Sequence, residues 1–132
     1  MRASSCIRAG ALLAGLGVLL GAFAAHGLKE RLTATALVTF ETGVRYQLYH
    51  ALGLLACGAL GARGARTGPA AVCFAAGIAL FSGSLYLLAA LDVKWLGAVT
   101  PFGGVLFLVG WALLAWRGLP PAQVFEAPRG AA

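Results

Sequence analysis

Charge is scarce in this chain. Only 11% of its 132 residues are ionisable Asp, Glu, Lys or Arg, and just 4 of them are acids. That scarcity excludes an ordinary soluble helical domain, whose outward helix faces would be polar along their length. The three cysteines, Cys6, Cys57 and Cys73, are odd in number and lack paired spacing, which excludes a disulfide framework and a zinc pattern. Walker, HExxH and GxSxG motifs are absent, so nothing in the sequence names a reaction, a metal or a cofactor.

What is present is hydrophobic sequence, 61% of the chain. It falls into four stretches, Ala9–Ala25, Val44–Ala62, Pro69–Leu91 and Trp95–Trp116. Each approaches the roughly 20 residues that a helix needs to cross a bilayer. The chain therefore reads as an all-α membrane protein, with four transmembrane helices in an antiparallel bundle forming a single domain over residues 1–118. Short connections at Ala62–Gly68 and Asp92–Lys94 make consecutive spans neighbours. Pro69 suits the first turn of a helix, where its missing N–H is harmless. The tail over 119–132, with Pro120 and Pro121, reads as disordered.

A net charge of +6 would suit a nucleic-acid binder, but the basic residues sit at helix ends and form no single patch. Arg2, Arg8, Arg63, Arg66, Arg117 and Arg129 fall on one side of the expected topology; Lys29, Arg31, Arg45 and Lys94 fall on the other. The positive-inside rule then puts both termini in the cytoplasm. Arg2 and Arg8, followed by an apolar core and Ala22-Phe23-Ala24, also fit a cleavable secretory signal. An uncleaved signal anchor is the simpler reading, because further spans follow.

Small residues recur at helical spacing in span one (Gly10, Ala14, Gly17, Gly21, Ala24) and span two (Gly53, Cys57, Gly61). Such stripes let membrane helices approach closely and serve equally well within a bundle or between copies of it. Between these spans, Gly27–Gly43 repeats apolar residues at three- and four-residue steps, Leu28, Leu32, Ala36, Leu37 and Phe40. This predicts a short amphipathic helix lying on the membrane surface. Near the start of span four, Thr100-Pro101 predicts a helix from about Trp95 with a break at the proline. Trp95, Trp111 and Trp116 suit interfacial anchors.

Polar chemistry is densest at Glu41-Thr42-Gly43-Val44-Arg45-Tyr46-Gln47-Leu48-Tyr49-His50. On a helix, Glu41 and Arg45 lie one turn apart and can pair, as do Tyr46 and His50, with Gln47 between them. His26, at the end of span one, is on the same side. Ionisable groups in a membrane mark a functional site by default. The same residues could equally form a structural network, and Arg45 could snorkel to the headgroups; the structural reading is preferred. Haem ligation by His26 and His50 is disfavoured, since His50 lies some 9 Å deeper along its helix. Ser82, Ser84, Tyr86 and Thr100 could line a polar path, although serines commonly bond back to the preceding turn. No span carries a central acid or base, which argues against a proton-coupled multidrug exporter.

Gly21-Ala22-Phe23-Ala24-Ala25-His26-Gly27-Leu28 resembles the AHGL signature of the family called domain of unknown function 423. Phe40–Leu52 is similar to its second signature. Leu80–Tyr86, Thr100–Gly104 and Gly110-Trp111 resemble its third and fourth, in order and with compatible spacing. The resemblance implies a small four-helix inner-membrane protein without an established activity. The expectation is a non-enzymatic structural or assembly component without a cofactor. Its outer polar cluster, His26, Glu41, Arg45, Tyr46, Gln47 and His50, would meet membrane lipid headgroups or a protein partner, a second copy included. The alternative is a small oligomeric transporter or channel.

Overall fold

The computed structural model describes residues 1–119, and every regular element among them is helical. Helix α1 runs over Ala3–Phe23 and continues as a π-helical turn over Ala24–Leu28. Helix α2 spans Ala34–Ala62, α3 Gly68–Gly77, α4 Gly83–Leu91 and α5 Thr100–Arg117. A second π turn, Ile78–Ser82, joins α3 to α4, so Gly68–Leu91 is one continuous helical rod. Lys94–Ala98 is a 3-10 turn leading into α5.

Three of these rods, Ala3–Leu28, Gly68–Leu91 and Lys94–Arg117, are long and apolar enough to cross a membrane. The 26 residues of the first give about 39 Å at 1.5 Å per residue. Helix α2 has the length, 29 residues, but Arg45, Gln47 and His50 interrupt its apolar sequence.

The expected surface helix over Gly27–Gly43 takes a different form. Gly27 and Leu28 close the π turn after α1, a bend follows, and Ala34–Gly43 are the opening turns of α2 itself. The cause is local. Thr33 caps the helix by accepting a bond from the Ala36 N–H at 3.2 Å. Thr39 and Thr42 turn their hydroxyls onto the carbonyls of Thr35 and Val38. The threonines thereby satisfy themselves without leaving the helix, and Phe40 and Val44 bury against Ala24 and Ala89. Nothing then stops the helix before its apolar second half.

The helix expected from about Trp95 with a break at Pro101 is instead the 3-10 turn Lys94–Ala98, an interruption at Val99, and α5 with Pro101 in its first turn. Thr100 does not cap it; its hydroxyl bonds the Leu96 carbonyl instead. The tight connection before it depends on Asp92, which adopts the left-handed conformation at φ 51 and ends α4. The tail expected over 119–132 lies, Leu119 aside, outside the described residues.

Small residues set how closely the helices pack. A Cβ on Gly10 would meet Ala51 and Leu55, one on Gly17 would meet Leu48, and one on Gly58 would meet Ile7. The partners descend along α2 as α1 ascends, so the two helices are antiparallel and nearly in backbone contact. The expected stripe on α2 is divided between neighbours: Gly53 receives Phe74 of α3, whereas Gly61 faces Ala3 and Thr67. On the other side, Gly77 accommodates Phe107, and Gly103 lies against the Phe81 backbone. The core between these layers is Cys6, Leu54, Cys57, Ala71, Phe74, Ile78 and Phe107. All three cysteines are free, and Cys6 and Cys57 pack as buried small apolar residues.

Candidate functional site

The polar run on α2 divides by helix face. Gln47 and His50 point into the bundle, 2% and 5% exposed. Glu41, Arg45 and Tyr46 lie on outward faces. Glu41 and Arg45 share a shallow depression of about 360 Å³ with Gly21 and Val44. His26 is exposed on the π turn and joins neither group. Gly17 stands against Gln47 and Leu48, so His26 lies about 13 Å further along α1 than the Gln47 level. The two histidines do not converge.

Gln47 links three helices. Its amide Nε2 donates to the Leu13 carbonyl of α1 at 2.8 Å, and its Oε1 accepts from the Tyr86 hydroxyl of α4 at 2.9 Å. Gly17 makes the first bond feasible, since a Cβ there would stand 3.4 Å from that amide nitrogen and 2.8 Å from Leu48. Tyr86 is fixed in turn by Phe40, ring centroids 4.7 Å apart. A buried amide needs such partners, because leaving one unsatisfied costs about 1–3 kcal/mol.

His50 forms the second link. Its Nδ1 lies 2.7 Å from the Tyr46 carbonyl, and its Nε2 lies 3.1 Å from the indole Nε1 of Trp111. Trp111 can only donate, so Nε2 must accept and Nδ1 must carry the proton. One neutral tautomer satisfies both contacts, and neither nitrogen retains a lone pair for a metal. Tyr46 and His50 do pair, but through the Tyr46 backbone carbonyl and not through its phenol.

Around His50 runs an aromatic groove of about 600 Å³, lined by Tyr46, Tyr49, Phe81, Phe107 and Trp111. Tyr46 stacks on Phe81 at 4.5 Å, and Phe74 meets Trp111 at 4.8 Å. Trp111 has a role that sequence reasoning missed. Its indole N–H donates to His50, while its ring, like those of Trp95 and Trp116, is exposed. The available signal was Phe107 and Trp111 one turn apart on a helix flanked by Gly103 and Gly110.

Of the residues of the supposed polar path, the structure brings Ser84 and Thr100 together. Their hydroxyls lie 2.8 Å apart and either can donate to the other, and each also has a carbonyl within reach, Phe81 for Ser84 and Leu96 for Thr100. Tyr86 belongs to Gln47. Ser82 is buried, and its hydroxyl has no partner among the described residues.

Apolar rods of spanning length, packed through glycines around internally bonded polar side chains, define a helical membrane protein. The chain belongs to the family described as Protein of unknown function (DUF423), whose pattern matches residues 20–104. It is 47% identical over 106 residues to the UPF0382 membrane protein of Staphylococcus saprophyticus, covering 80% of this chain and 88% of that one. It is 45% identical over 109 residues to UPF0382 membrane protein YwdK of Bacillus subtilis, with coverage of 80% and 88%. Identity to the Haemophilus influenzae UPF0382 membrane protein is 44% over 100 residues, with coverage of 75% and 81%. No solved structure matches.

Proposed function

We propose that this protein is a non-enzymatic component of a bacterial inner membrane, built as four antiparallel spans with both termini in the cytoplasm, which supports envelope integrity or a larger assembly. The carrying observation is that Gln47 and His50, the polar side chains a catalytic site would need free, are bonded to Leu13, Tyr86, Tyr46 and Trp111. The Gln47 amide is neither nucleophile nor base, and both imidazole nitrogens of His50 are engaged within the bundle. The bonds instead join α1, α4 and α5 to α2, which supports α2 as the fourth span. Gln47 and His50 face protein, while Tyr49 and Leu52, 55% and 59% exposed, are turned outward to lipid.

On this reading the contact with other molecules falls to the exposed Glu41 and Arg45 beside Gly21. Their opposite charges suit a zwitterionic lipid headgroup or a polar segment of a partner protein. Native purification in mild detergent, with the accompanying lipids, metals and proteins identified, tests the proposal. The Glu41→Gln/Arg45→Gln variant should stay folded and lose the accompanying molecule. Retention of the full set by that variant overturns the assignment of this face.

A small oligomeric transporter or channel is the second reading, favoured by the unpartnered Ser82 hydroxyl inside the Gly68–Leu91 rod. Proteoliposomes that pass none of a broad solute panel remove it.

A further inference from the structure

The two ends of the molecule differ in charge. One end carries Lys29, Glu30, Arg31, Glu41, Arg45, Asp92 and Lys94, basic and acidic residues mixed. The other gathers Met1, Arg2, Arg63, Arg66 and Arg117, with no carboxylate among its described residues. The packing brings these groups together. A Cβ on Gly68 would stand 3.2 Å from the Met1 nitrogen, and one on Gly61 would stand 3.6 Å from Ala3.

At this end the α2–α3 loop meets the last turn of α5 around a cavity of about 560 Å³, lined by Gly64, Arg66, Trp116, Arg117 and Leu119. Its rim is held in place. Thr67, buried at 4% exposure, donates its hydroxyl to the Cys57 carbonyl at 2.7 Å and ties the loop back onto α2. Gly64 takes φ 91, which glycine adopts without strain, and lets the chain reverse so that the Ala65 N–H bonds the Leu60 carbonyl. Arg66 and Arg117 are both exposed at the cavity, and Trp116 is 88% exposed beside them.

We infer that this cavity binds the phosphate of an anionic phospholipid, clamped between the guanidinium groups of Arg66 and Arg117. Guanidinium matches phosphate oxygens in a bidentate fork, which an ammonium cannot do. Trp116 sits where an indole prefers the headgroup level, with its apolar ring and Leu119 available to the upper acyl chain. A free inorganic phosphate would meet the same arginines but gain nothing from the indole, so the lipid is the favoured source. The cavity lies at the opposite end of the bundle from the Glu41 and Arg45 depression, and its failure would leave the Proposed function untouched.

The test is a titration of the full-length detergent-solubilised protein with dioleoyl phosphatidylglycerol, read by native mass spectrometry. Phosphatidylcholine and inorganic phosphate serve as parallel probes. Phosphatidylglycerol should bind as a discrete single adduct, more tightly than either. Arg66→Gln/Arg117→Gln should weaken it roughly thirtyfold, from about a fivefold loss per basic residue near the surface. Arg2→Gln/Arg63→Gln, which alters the same end without touching the cavity lining, should change it much less. The inference is overturned if phosphatidylcholine or inorganic phosphate binds equally well. It is equally overturned if the Arg2 and Arg63 variant loses as much as the cavity variant, which would mean diffuse charge and no site. Thermal unfolding of each variant in lipid-free detergent confirms folding, since all four side chains are exposed.

Discussion

His50 and Phe107 lie face to face, ring centroids 3.4 Å apart and planes 7° from parallel. The stack joins α2 to α5, and Trp111 completes it by donating its indole N–H to the same imidazole. Trp111→Phe should lower unfolding stability in detergent by about 1–2 kcal/mol, because His50 Nε2 would lose its donor. His50→Ala should cost more, about 2–4 kcal/mol, since the stack with Phe107 goes as well. Arg45→Ala should stay within about 0.5 kcal/mol, as expected for an exposed side chain. Thermal melts of the three variants check the order; an Arg45 variant as weak as the His50 variant would refute it.

Gln47 and Tyr86 should behave as one unit. Gln47→Leu leaves the Tyr86 hydroxyl without its acceptor, and Tyr86→Phe leaves the amide oxygen without its donor, each costing about 1–3 kcal/mol. The double variant should cost less than the sum of the singles by about 0.5–2 kcal/mol. A double-mutant cycle measured by chemical denaturation reads this coupling directly. Strict additivity would mean that the two side chains are not bonded in the membrane protein.

How much of this was legible in the sequence follows from what carries the information. Span positions are set by apolar run length, so the stretches at Pro69–Leu91 and Trp95–Trp116 match the rods Gly68–Leu91 and Lys94–Arg117 closely. Helix was legible over the start of α2, but not its continuity with the next stretch, because periodicity alone does not show that Thr39 and Thr42 bond the preceding turn and let the helix run on. Periodicity picked out Gln47 and His50 as chemically unusual, but not which way they face. That depends on Leu13, Tyr86 and Trp111, which lie 34, 39 and 61 positions away in the chain. Tyr86 was grouped with Ser82 and Ser84 by proximity in sequence, but its long side chain carries the hydroxyl across to Gln47 of α2.

The tightest helix crossing should be the least tolerant. A Cβ on Gly103 would run into the backbone nitrogen of Phe81, and backbone cannot swing aside as a side chain can. Gly103→Ala should therefore separate α5 from the π turn and destabilise the protein by more than about 3 kcal/mol, at the upper end of overpacking effects. Gly15 has nothing within 4 Å of the equivalent atom. Gly15→Ala should be neutral or stabilise by about 0.5–1 kcal/mol through helix propensity. Monodisperse yield on size exclusion after detergent extraction distinguishes the two. Equal yields would mean that α3–α5 packing is looser than the crossing at Gly103.

Ser82 separates a structural protein from a conducting one. Its hydroxyl is buried at the end of the π turn without a partner among the described residues, although Ser84, two residues on, lies within reach of both a carbonyl and Thr100. An unpaired buried hydroxyl stabilises nothing and carries a desolvation penalty, so Ser82→Ala should raise stability by about 1 kcal/mol. A residue retained only for packing would then be improved by the change, with no loss in any cellular assay. In a transporter the hydroxyl would serve a passing solute, and the same substitution would raise stability while lowering flux. Measuring melt and proteoliposome flux on one preparation distinguishes these outcomes. A fall in stability would contradict both, since it requires a bond from Ser82 within the folded protein.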